Sequence, residues 1–539
     1  MQNSPSTIAT VVLAWALLAG CQTPTEFVSE ADDATYAIIR QRRDELAAGG
    51  PFSLLRPVDT LRKRMLDGET PSSFTLTELL FASAENSRDY QNRRESLYLA
   101  ALDLTLERWR FSIQRNAGGD ATVADSGAGT SAGVLSRAGF TKLLGTGAQI
   151  VGDTSLEIFR DIDSSDGWDA VSNLSLTISQ PLLQGFGSVI VLEPLTQAER
   201  NVLYEARVYE RFRRTFAFDV TERFFGVLRQ LDTLSNEQEN SRSLTLLRER
   251  NEAFAEAGQL NEIQVDQALQ DELRARNRVI DVERTLQNQL DSFKLLLGLP
   301  IDTALPLDRA DNLDLSSWPF LDIDPAEELV IDLALSNRFD QLTLNQQVED
   351  ATRKVVVAED GLRAGLDVVL SGSSTSSEGR PFDHDGSTVR PWRLALQLDL
   401  PIDIIPQRNA YRESLITLDR SRRNAAESAD RIVADVRDAL RSLNAARESY
   451  QIQQNAVVLA KRRVESTELN LEAGRAATRD VLESKEALLQ ARNGLATDIT
   501  EYILSGLALY RDMELLRITD SGVSVETGPV QALMETRTP

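Results

Sequence analysis

The sequence predicts a mainly α-helical protein with a membrane β part, built by internal duplication. Residues 173–181 alternate apolar side chains with mostly polar or small ones and end at a proline, and residues 393–401 repeat this pattern. Such alternation is typical of a strand with lipid on one face and water on the other. After each proline comes a helical stretch of roughly sixty residues, about 90 Å long. Two copies of a strand joined to a very long helix define the predicted fold class.

The composition excludes several functional classes. The formal charge is −24, and phosphate binding needs clustered Lys and Arg, so nucleic acid is not an expected partner. The acidic surface would suit cationic partners or a cation-selective lumen, with solubility alone as the alternative. One cysteine and one histidine cannot supply an intrachain disulfide or a Cys/His cluster, so no metal site and no cofactor are expected.

Nothing in the sequence predicts an enzyme. The single histidine, His384, lies in the turn-rich segment 378–386, where an exposed side chain is expected. The patterns Gly-x-Ser-x-Gly, Walker A and Gly-x-Gly-x-x-Gly do not occur. We therefore predict no catalytic residues.

The N-terminal residues predict a lipoprotein signal. Residues 8–20 form an apolar run that is too short to span a bilayer but suits the core of a signal peptide. The run leads into Leu-Ala-Gly-Cys at 18–21, the pattern of bacterial lipoproteins, so Cys21 is expected to carry lipid. A buried, unmodified thiol is the alternative. The residues before this run lack the usual Lys or Arg, whereas Gln22 permits delivery to the outer membrane.

An opening helix is predicted before the strands of each half. Thr75 or Thr77 can cap a helix that runs on to Leu106, and a similar helix begins near Asp324. The preceding segment, 22–73, is punctuated by proline and glycine and predicts a linker with one short helix.

The β part follows each opening helix. In the first half, residues 109–113 can form a strand. A hairpin around Gly-Thr-Gly is predicted from residues 140–144 and 148–159. In the second half, residues 366–370 and 393–400 are the matching strands, joined by a Gly/Ser-rich loop. The first half therefore holds enough β-like sequence for four strands.

The long helices carry the clearest periodicity. Residues 407–473 contain neither glycine nor proline, and apolar side chains recur every seven residues, which indicates left-handed coiling around a partner helix. Each long helix is followed by a glycine, Gly258 or Gly474, the usual residue after a helix end, and then by a second helix. The seam comprises Ala429, Val436, Leu443, Tyr450, Val457, Val464 and Leu471, accompanied by Ile432, Ala439, Ala446 and Ala460.

These elements predict an oligomer. The chain lacks a run of eighteen apolar residues, so a membrane crossing would use strands. Open sheet edges are not tolerated in hydrocarbon, and about four lipid-suited strands cannot enclose a lumen. Three chains would supply about twelve strands, within the range of outer-membrane barrels.

The two strand-proline-helix junctions, at Pro181 and Pro401, and the two Ala-Gly turns resemble the TolC-type outer-membrane efflux channel family in its lipoprotein form. The resemblance covers about residues 74–515. It implies a homotrimer with a shared outer-membrane β-barrel and a trimeric periplasmic α-barrel of long helical hairpins. It also implies a periplasmic adaptor and an inner-membrane pump as partners, in efflux or type I secretion. The chain would be a passive exit duct in the outer membrane of a Gram-negative-type bacterium, contacting outer-membrane lipid.

The resemblance also implies functional residues. Asp480 and Glu483 match acidic positions that narrow the periplasmic entrance, and they share one helix face; ordinary solvated charges are the alternative. Gln264 takes the place of Asp480 in the first copy and is expected to pack or to form hydrogen bonds. The adaptor-docking candidates are Ala257, Gly258, Ala473 and Gly474, with helix capping as the simpler role.

The predicted boundaries follow the duplication. They are 1–20 for the lipoprotein signal peptide, 21–73 for the N-terminal anchor and linker, 74–300 for the first repeat, 301–323 for the inter-repeat linker, 324–515 for the second repeat and 516–539 for the C-terminal tail.

Two other classes are alternatives. A periplasmic adaptor also has a coiled-coil hairpin and often a lipid anchor, but it has one hairpin between β-rich halves. A structural coiled-coil lipoprotein leaves the alternating strands at 173–181 and 393–401 unexplained.

Overall fold

The computed structural model divides the chain into two compact units. The first, here called the sheet unit, comprises residues 1–52, 96–206 and 343–425, and the second, the tip unit, comprises residues 53–95, 207–342 and 426–539. The structure describes residues 23–46, 52–55, 57–69, 71–125, 129–162, 167–308, 315, 318–376, 380, 384, 391–519 and 522–537.

A six-stranded antiparallel sheet forms much of the sheet unit, and its strands are ordered as in the sequence. The predicted Gly-Thr-Gly turn joins the second strand to the third. Gly147 in this turn has a φ of 93°, and a Cβ there would lie 2.5 Å from the carbonyl oxygen of Gly185, so only glycine fits. The strands are β1 (Ile113–Asp125), β2 (Thr130–Leu143), β3 (Gln149–Asp161), β4 (Asp169–Pro181), β5 (Gly365–Thr375) and β6 (Trp392–Asp399).

The sheet has one apolar and one polar face, as the alternation predicts. Residues paired in register project from the same face, so the pairs Ile178–Leu370 and Leu370–Leu394 place three apolar side chains in a row across β4, β5 and β6. Thr177, Ser371 and Arg393 form an adjacent row on the opposite face. These two surfaces are called the apolar face and the polar face below.

Helices account for most of the remaining chain. Two of them are very long, and each is followed by a shorter antiparallel partner. The helices are α1 (Pro24–Glu45), α2 (Leu61–Leu66), α3 (Leu76–Asn86), α4 (Arg88–Arg110), α5 (Ser188–Val191), α6 (Glu193–Glu256), α7 (Glu262–Leu297), α8 (Glu327–Asn337), α9 (Phe339–Asp360), α10 (Ile405–Glu472), α11 (Thr478–Asp512) and α12 (Gly528–Arg537).

Both opening helices contain a break that the sequence did not predict. Thr75 caps α3 as expected, since its hydroxyl accepts from the Glu78 amide at 3.3 Å and the Glu78 carboxylate accepts from the Thr75 amide at 2.9 Å. The helix then stops, because Ser87 is extended with a ψ of 131°, and α4 begins at the next residue. Arg338, with a ψ of 120°, separates α8 from α9 in the same way. The duplication therefore includes the break.

Two N-terminal predictions are wrong in detail. The segment predicted as a linker with one short helix contains the 22-residue α1, which begins with a capping box between Thr23 and Glu26 and buries Ile38 and Ile39. Pro24 is the first residue of this helix, where its missing N–H costs nothing. The strand predicted at 109–113 begins only at Ile113, because Trp109 and Arg110 complete the last turn of α4.

The inter-repeat linker and the tail also contain regular structure. Leu307 forms a parallel bridge with Phe74, and Pro319–Asp322 is a short 3-10 helix. The predicted tail contains a hairpin of β7 (Leu516–Thr519) and β8 (Gly522–Val525), followed by α12.

His384 differs from its expected exposed state. The ring is half-buried, with Nε2 at 3.0 Å from the Ser172 hydroxyl of β4 and Nδ1 at 3.1 Å from the Ser374 hydroxyl of β5. Sequence alone did not predict this contact, because it depends on the pairing of two strands that lie far apart in the chain.

Among the described residues, no group of three or more His, Cys, Asp or Glu side chains could hold a metal ion. Within the same described ranges, every helix is either too short or too polar to cross a bilayer.

Candidate functional site at the ends of the helical hairpins

The two long helices end in matching turns. Gly258 follows α6 with a φ of 73°, and Gly474 follows α10 with a φ of 69°. After each glycine the next amide bonds five residues back, from Gln259 to the Phe254 carbonyl at 2.8 Å and from Arg475 to the Asn470 carbonyl at 2.7 Å. This Schellman arrangement satisfies the last carbonyls of both helices. The predicted glycine ends are confirmed.

The helices after the turns begin differently. Asn261 precedes α7, and its side chain accepts from the Ile263 amide at 3.2 Å. Ala477 holds the matching place before α11 and has no side-chain acceptor. Here the carboxylate of Asp480 accepts from the Ala477 amide at 2.9 Å. One copy is capped by the residue before the helix, and the other by a residue in its first turn.

The four helix ends share one apolar core. Leu244 and Leu247 of α6 pack with Ala275 of α7, Leu471 of α10 and Val481 of α11, all of them buried. Leu471 belongs to the predicted seven-residue seam, which is buried also at Val436, Leu443 and Val464. Since both hairpins contribute, the core fixes the two Ala-Gly turns in one bundle end, here called the hairpin tip.

A buried polar chain crosses the hairpin tip. Asn251 of α6 donates to the Thr478 hydroxyl at 3.1 Å, and that hydroxyl donates to the Gln264 side-chain oxygen at 3.1 Å. Asn251 and Thr478 are fully buried. Gln264 thus has the hydrogen-bonding role predicted for the counterpart of Asp480. Thr478 was not predicted, because only the fold brings it opposite Asn251.

A buried carboxylate organises the arginines of the first hairpin. Glu272 accepts from Arg248 and Arg276, each at 2.5 Å, and from the Thr245 hydroxyl at 3.1 Å. Burial favours the neutral acid, but these hydrogen bonds outweigh it, so the pKa of Glu272 lies below its ordinary value of 4.5.

Charged side chains line a groove beside this core. Arg278 contacts Glu237 and Glu486, both at 3.3 Å. Burial raises the pKa of Glu237; Arg278 opposes this shift and the nearby Glu486 adds to it. Arg274, Arg479 and Lys485 also line the groove. It is therefore a mixed-charge surface.

The structure places both acidic entrance candidates at the hairpin tip. The Asp480 carboxylate caps α11, as described above, and Glu483 pairs with Arg479 at 2.8 Å on the exposed side of the helix. Both carboxylates therefore have a local partner within the chain.

The remaining predicted site residues are also located. Ala257, Gly258, Ala473 and Gly474 are all exposed. In the described part of the chain, and apart from each glycine and its two neighbours in sequence, no heavy atom lies within 4 Å of a Cβ built at either glycine. Pro181 is the last residue of β4, and Pro401 lies two residues beyond the end of β6. Cys21 lies outside the described residues.

Comparison with known proteins gives a family match for part of the chain and a fold for most of it. A family model described as Outer membrane efflux protein matches residues 330–512. No curated protein matches the sequence. Among solved structures, CusC, described as forming a transmembrane channel, is 13% identical with a TM-score of 0.61, over 82% of this chain and 92% of CusC. The outer membrane protein VceC of Vibrio cholerae is 13% identical with a TM-score of 0.60, covering 81% of this chain and 95% of VceC.

The CmeC outer membrane channel of Campylobacter jejuni shows the same similarity, with 13% identity and a TM-score of 0.59 over 87% of this chain and 92% of CmeC. At these identities the likeness concerns the fold. Residues 330–512 of this chain match the Outer membrane efflux protein family, and the fold over most of the chain is similar to the folds of these outer-membrane channels.

Proposed function

We propose that the chain is the outer-membrane channel subunit of a tripartite efflux or type I secretion system. It is a passive exit duct rather than an enzyme, lipid-anchored at Cys21 and placed in the outer membrane with its helices in the periplasm. The main support is one observation: a sheet with an apolar and a polar face is followed in the sequence, after β4 and again after β6, by a long helical hairpin, and the two hairpins have matching exposed turns. An adaptor would have one such hairpin.

The proposed assembly is a homotrimer. The outer strands of the described sheet, β1 and β6, carry backbone groups that hydrocarbon cannot satisfy. Pairing with neighbouring copies would close the sheet into a barrel around a lumen lined by the polar face. The two TolC-like repeats, 74–300 and 324–515, would each supply one hairpin per subunit to a periplasmic α-barrel.

The test is the behaviour of detergent-extracted protein. We expect a trimer that conducts ions in planar bilayers. Monomers that become water-soluble after enzymatic removal of the lipid would overturn the channel and support an anchored adaptor or a structural lipoprotein.

The hairpin tip is the proposed docking site for a periplasmic adaptor, which in turn contacts an inner-membrane pump. Ala473 is exposed beside Gly474, and its amide forms a backbone hydrogen bond of the helical type. An Ala473→Cys variant should therefore retain the turn. We expect it to crosslink to the adaptor in cells, whereas Asn455→Cys, exposed farther along α10, should not. Equal crosslinking at both positions would contradict docking at the tip.

The proposed entrance gate uses Asp480 and Glu483, which three-fold symmetry would arrange as rings of carboxylates. Asp480 also caps α11, so charge and capping must be separated. Asp480→Asn keeps an oxygen that can accept from the Ala477 amide, and Glu483→Gln removes only the charge paired with Arg479. Both variants should lower cation selectivity at unchanged thermal stability. Unchanged selectivity in both would exclude the gate.

A further inference from the structure

The first hairpin, β1 and β2, brings the sheet to six strands, two more than the roughly four lipid-suited strands expected from the sequence. It is fully paired with the rest of the sheet. β1 and β2 are in register from Ile113–Lys142 to Asp125–Thr130, and β2 pairs with β3 from Ser131–Asp161 to Leu143–Gln149. Because β2 and β4 cover both sides of β3, the outer strands of the described sheet are β1 and β6.

The hairpin continues the apolar face of the sheet. The register connects Leu176 of β4 to Gly152 of β3, Phe140 of β2 and Arg115 of β1, and the next row runs through Leu174, Thr154, Ala138 and Ala117. Val123, Val134 and Phe140 on this face are 73%, 43% and 39% exposed in the single chain. The apolar-face residues of the hairpin are Ile113, Ala117, Gly119, Ala121, Val123, Ala132, Val134, Ser136, Ala138 and Phe140.

The charges on this face lie at its margins. Arg115 and Lys142 lie toward the end where β1 leaves α4, and Asp125 and Arg160 lie at the opposite end. Between them, the described apolar-face residues of β1, β2 and β3 are uncharged. In β2 the uncharged band runs from Ala132 to Phe140, close to the roughly 9–11 residues that a tilted strand needs to span hydrocarbon. Long cationic side chains at such margins can reach the headgroups.

One contact joins the hairpin to the rest of the face. The ring of Phe140 covers Gly152 on the neighbouring strand, where an added Cβ would lie 2.5 Å from the ring. An aromatic ring over a cross-strand glycine keeps the surface continuous and stabilises the register. The polar face of the hairpin has its own charged pair, Arg137 with Asp120 at 2.8 Å.

We propose that the β1–β2 hairpin is embedded in the membrane, with its apolar face in contact with acyl chains and its polar face toward the lumen. This inference rests on the proposed function. Each subunit then contributes six strands to the membrane instead of the roughly four that the sequence predicts to be suited to lipid. A neighbouring copy pairs its β6 with β1, because β3 is already covered, and three subunits close a barrel of about eighteen strands.

The test uses single cysteines on both faces in vesicles of phosphatidylcholine, with the unsubstituted protein as the blank. Ala121→Cys and Val134→Cys probe the apolar face of the hairpin, and Thr122→Cys probes its polar face. Leu396→Cys and Ser175→Cys are matched controls on the two faces of the other strands. Each variant is labelled with an environment-sensitive fluorophore or challenged with a water-soluble maleimide.

We expect acyl-chain quenchers to reduce fluorescence at Ala121→Cys and Val134→Cys as strongly as at Leu396→Cys. Thr122→Cys should react with the maleimide as Ser175→Cys does. Labelling of both hairpin faces by the water-soluble maleimide, while the two control positions still differ from each other, would place the hairpin outside the membrane. That result would overturn the inference alone. If Leu396→Cys and Ser175→Cys do not differ in quenching and in maleimide labelling, the proposed function is overturned and the inference with it.

A second measurement does not depend on labelling chemistry. Gln114→Cys in β1 combined with Gln397→Cys in β6 should give crosslinked oligomers with a short bis-maleimide, because both residues lie on the polar face near the helical end. Gln149→Cys in β3 with Gln397→Cys should not. Crosslinking only of the β3 pair would show that the hairpin leaves the sheet, contrary to the proposal.

Discussion

Asn261 and Ala477 hold matching places before the helices that follow the two Ala-Gly turns, but only Asn261 has a side chain that can cap. Asp480 compensates from inside α11 by accepting from the Ala477 amide. The match of Asp480 to an acidic entrance position stays a prediction, whereas the hydrogen bond expected at Gln264 is confirmed. The capping role of Asp480 was not predictable from a single copy, because it becomes apparent only when the two copies are compared residue by residue.

Ala477→Ser should stabilise the start of α11. A serine hydroxyl can accept from the Asp480 amide and complete a capping box, which is worth about 1 kcal/mol. Asn261→Ala is the matched opposite, and it should cost about 1 kcal/mol at α7. Hydrogen exchange of the first turns of α7 and α11 measures both effects. Faster exchange in Ala477→Ser would contradict the prediction.

The tip should loosen in acid because of Glu272. Its folded pKa lies below 4.5, so its carboxylate stabilises the fold above pH 4.5, and this contribution is lost as the pH falls through the lowered value. Glu272→Gln should lose about 3 kcal/mol at neutral pH and show a flatter acid response.

Spin labels at Ser241→Cys and Gln270→Cys report the separation of α6 and α7 for this test. We expect the distance distribution to broaden below pH 4.5 in the parent protein and to be broad already at pH 7 in Glu272→Gln. An identical acid response in the two proteins would exclude Glu272 as the titrating group.

Among the helices and strands, those whose apolar side chains repeat at a regular spacing could be predicted from the sequence. The two long helices were predictable because burial repeats every seven residues over many turns. β1 was not, since it is rich in alanine and glycine, and its face is defined only by pairing with β2. The break at Ser87 and Arg338 was hidden by apolar spacing that continues on both sides. Helix α1 was not predictable from proline spacing, because Pro24 occupies the first helical position, where proline does not break a helix.

The seam predicts a specific loss of stability. Leu443 is 3% exposed in the middle of α10, so Leu443→Ala should cost about 2–5 kcal/mol through lost contacts and a cavity. Gln451→Ala, on the exposed side of the same helix, should have little effect. Thermal unfolding of the purified protein compares the two variants. Equal shifts in melting temperature would show that Leu443 does not belong to a buried seam.

At the end of α11, a buried ionic cluster attaches the second hairpin to α6. Glu514 has a φ of 60°, uncommon for a residue with a side chain, and its carboxylate pairs with Arg214 and, at 2.5 Å, with Arg211. The strained backbone is held in place by these two arginines. No local sequence signal marks this position, because its partners lie three hundred residues earlier in the chain.

For the whole molecule, part of the net charge of −24 lies on the polar face of the sheet, where acidic residues outnumber basic ones. If this face lines the lumen as proposed, the pore should favour cations, and the preference should weaken at high salt. The charges on the described polar face are Asp120, Asp153, Glu157, Asp161, Asp169, Asp367 and Asp399, against Arg137 and Arg393.

Substitution of charged residues on the polar face should change the ratio of cation to anion permeability. Asp153→Asn combined with Glu157→Gln should lower the cation-to-anion ratio by about twofold, and Arg137→Gln should raise it, because each alters the charge along the proposed lumen. Reversal potentials across planar bilayers with a salt gradient measure the ratio. Shifts of the same sign in both variants would show that this face does not line the ion path.

The sheet begins and ends on the same side: β1 follows α4 directly, and β6 leads into α10. This geometry holds only for an even number of strands. In the proposed assembly, a lone added strand would deliver the chain to the wrong side of the bilayer and would force a parallel seam between copies, whereas a whole hairpin leaves both connections as they were. The width of the proposed barrel would therefore change only by whole hairpins inserted or deleted upstream of β3, with the connections to α4 and α10 unchanged.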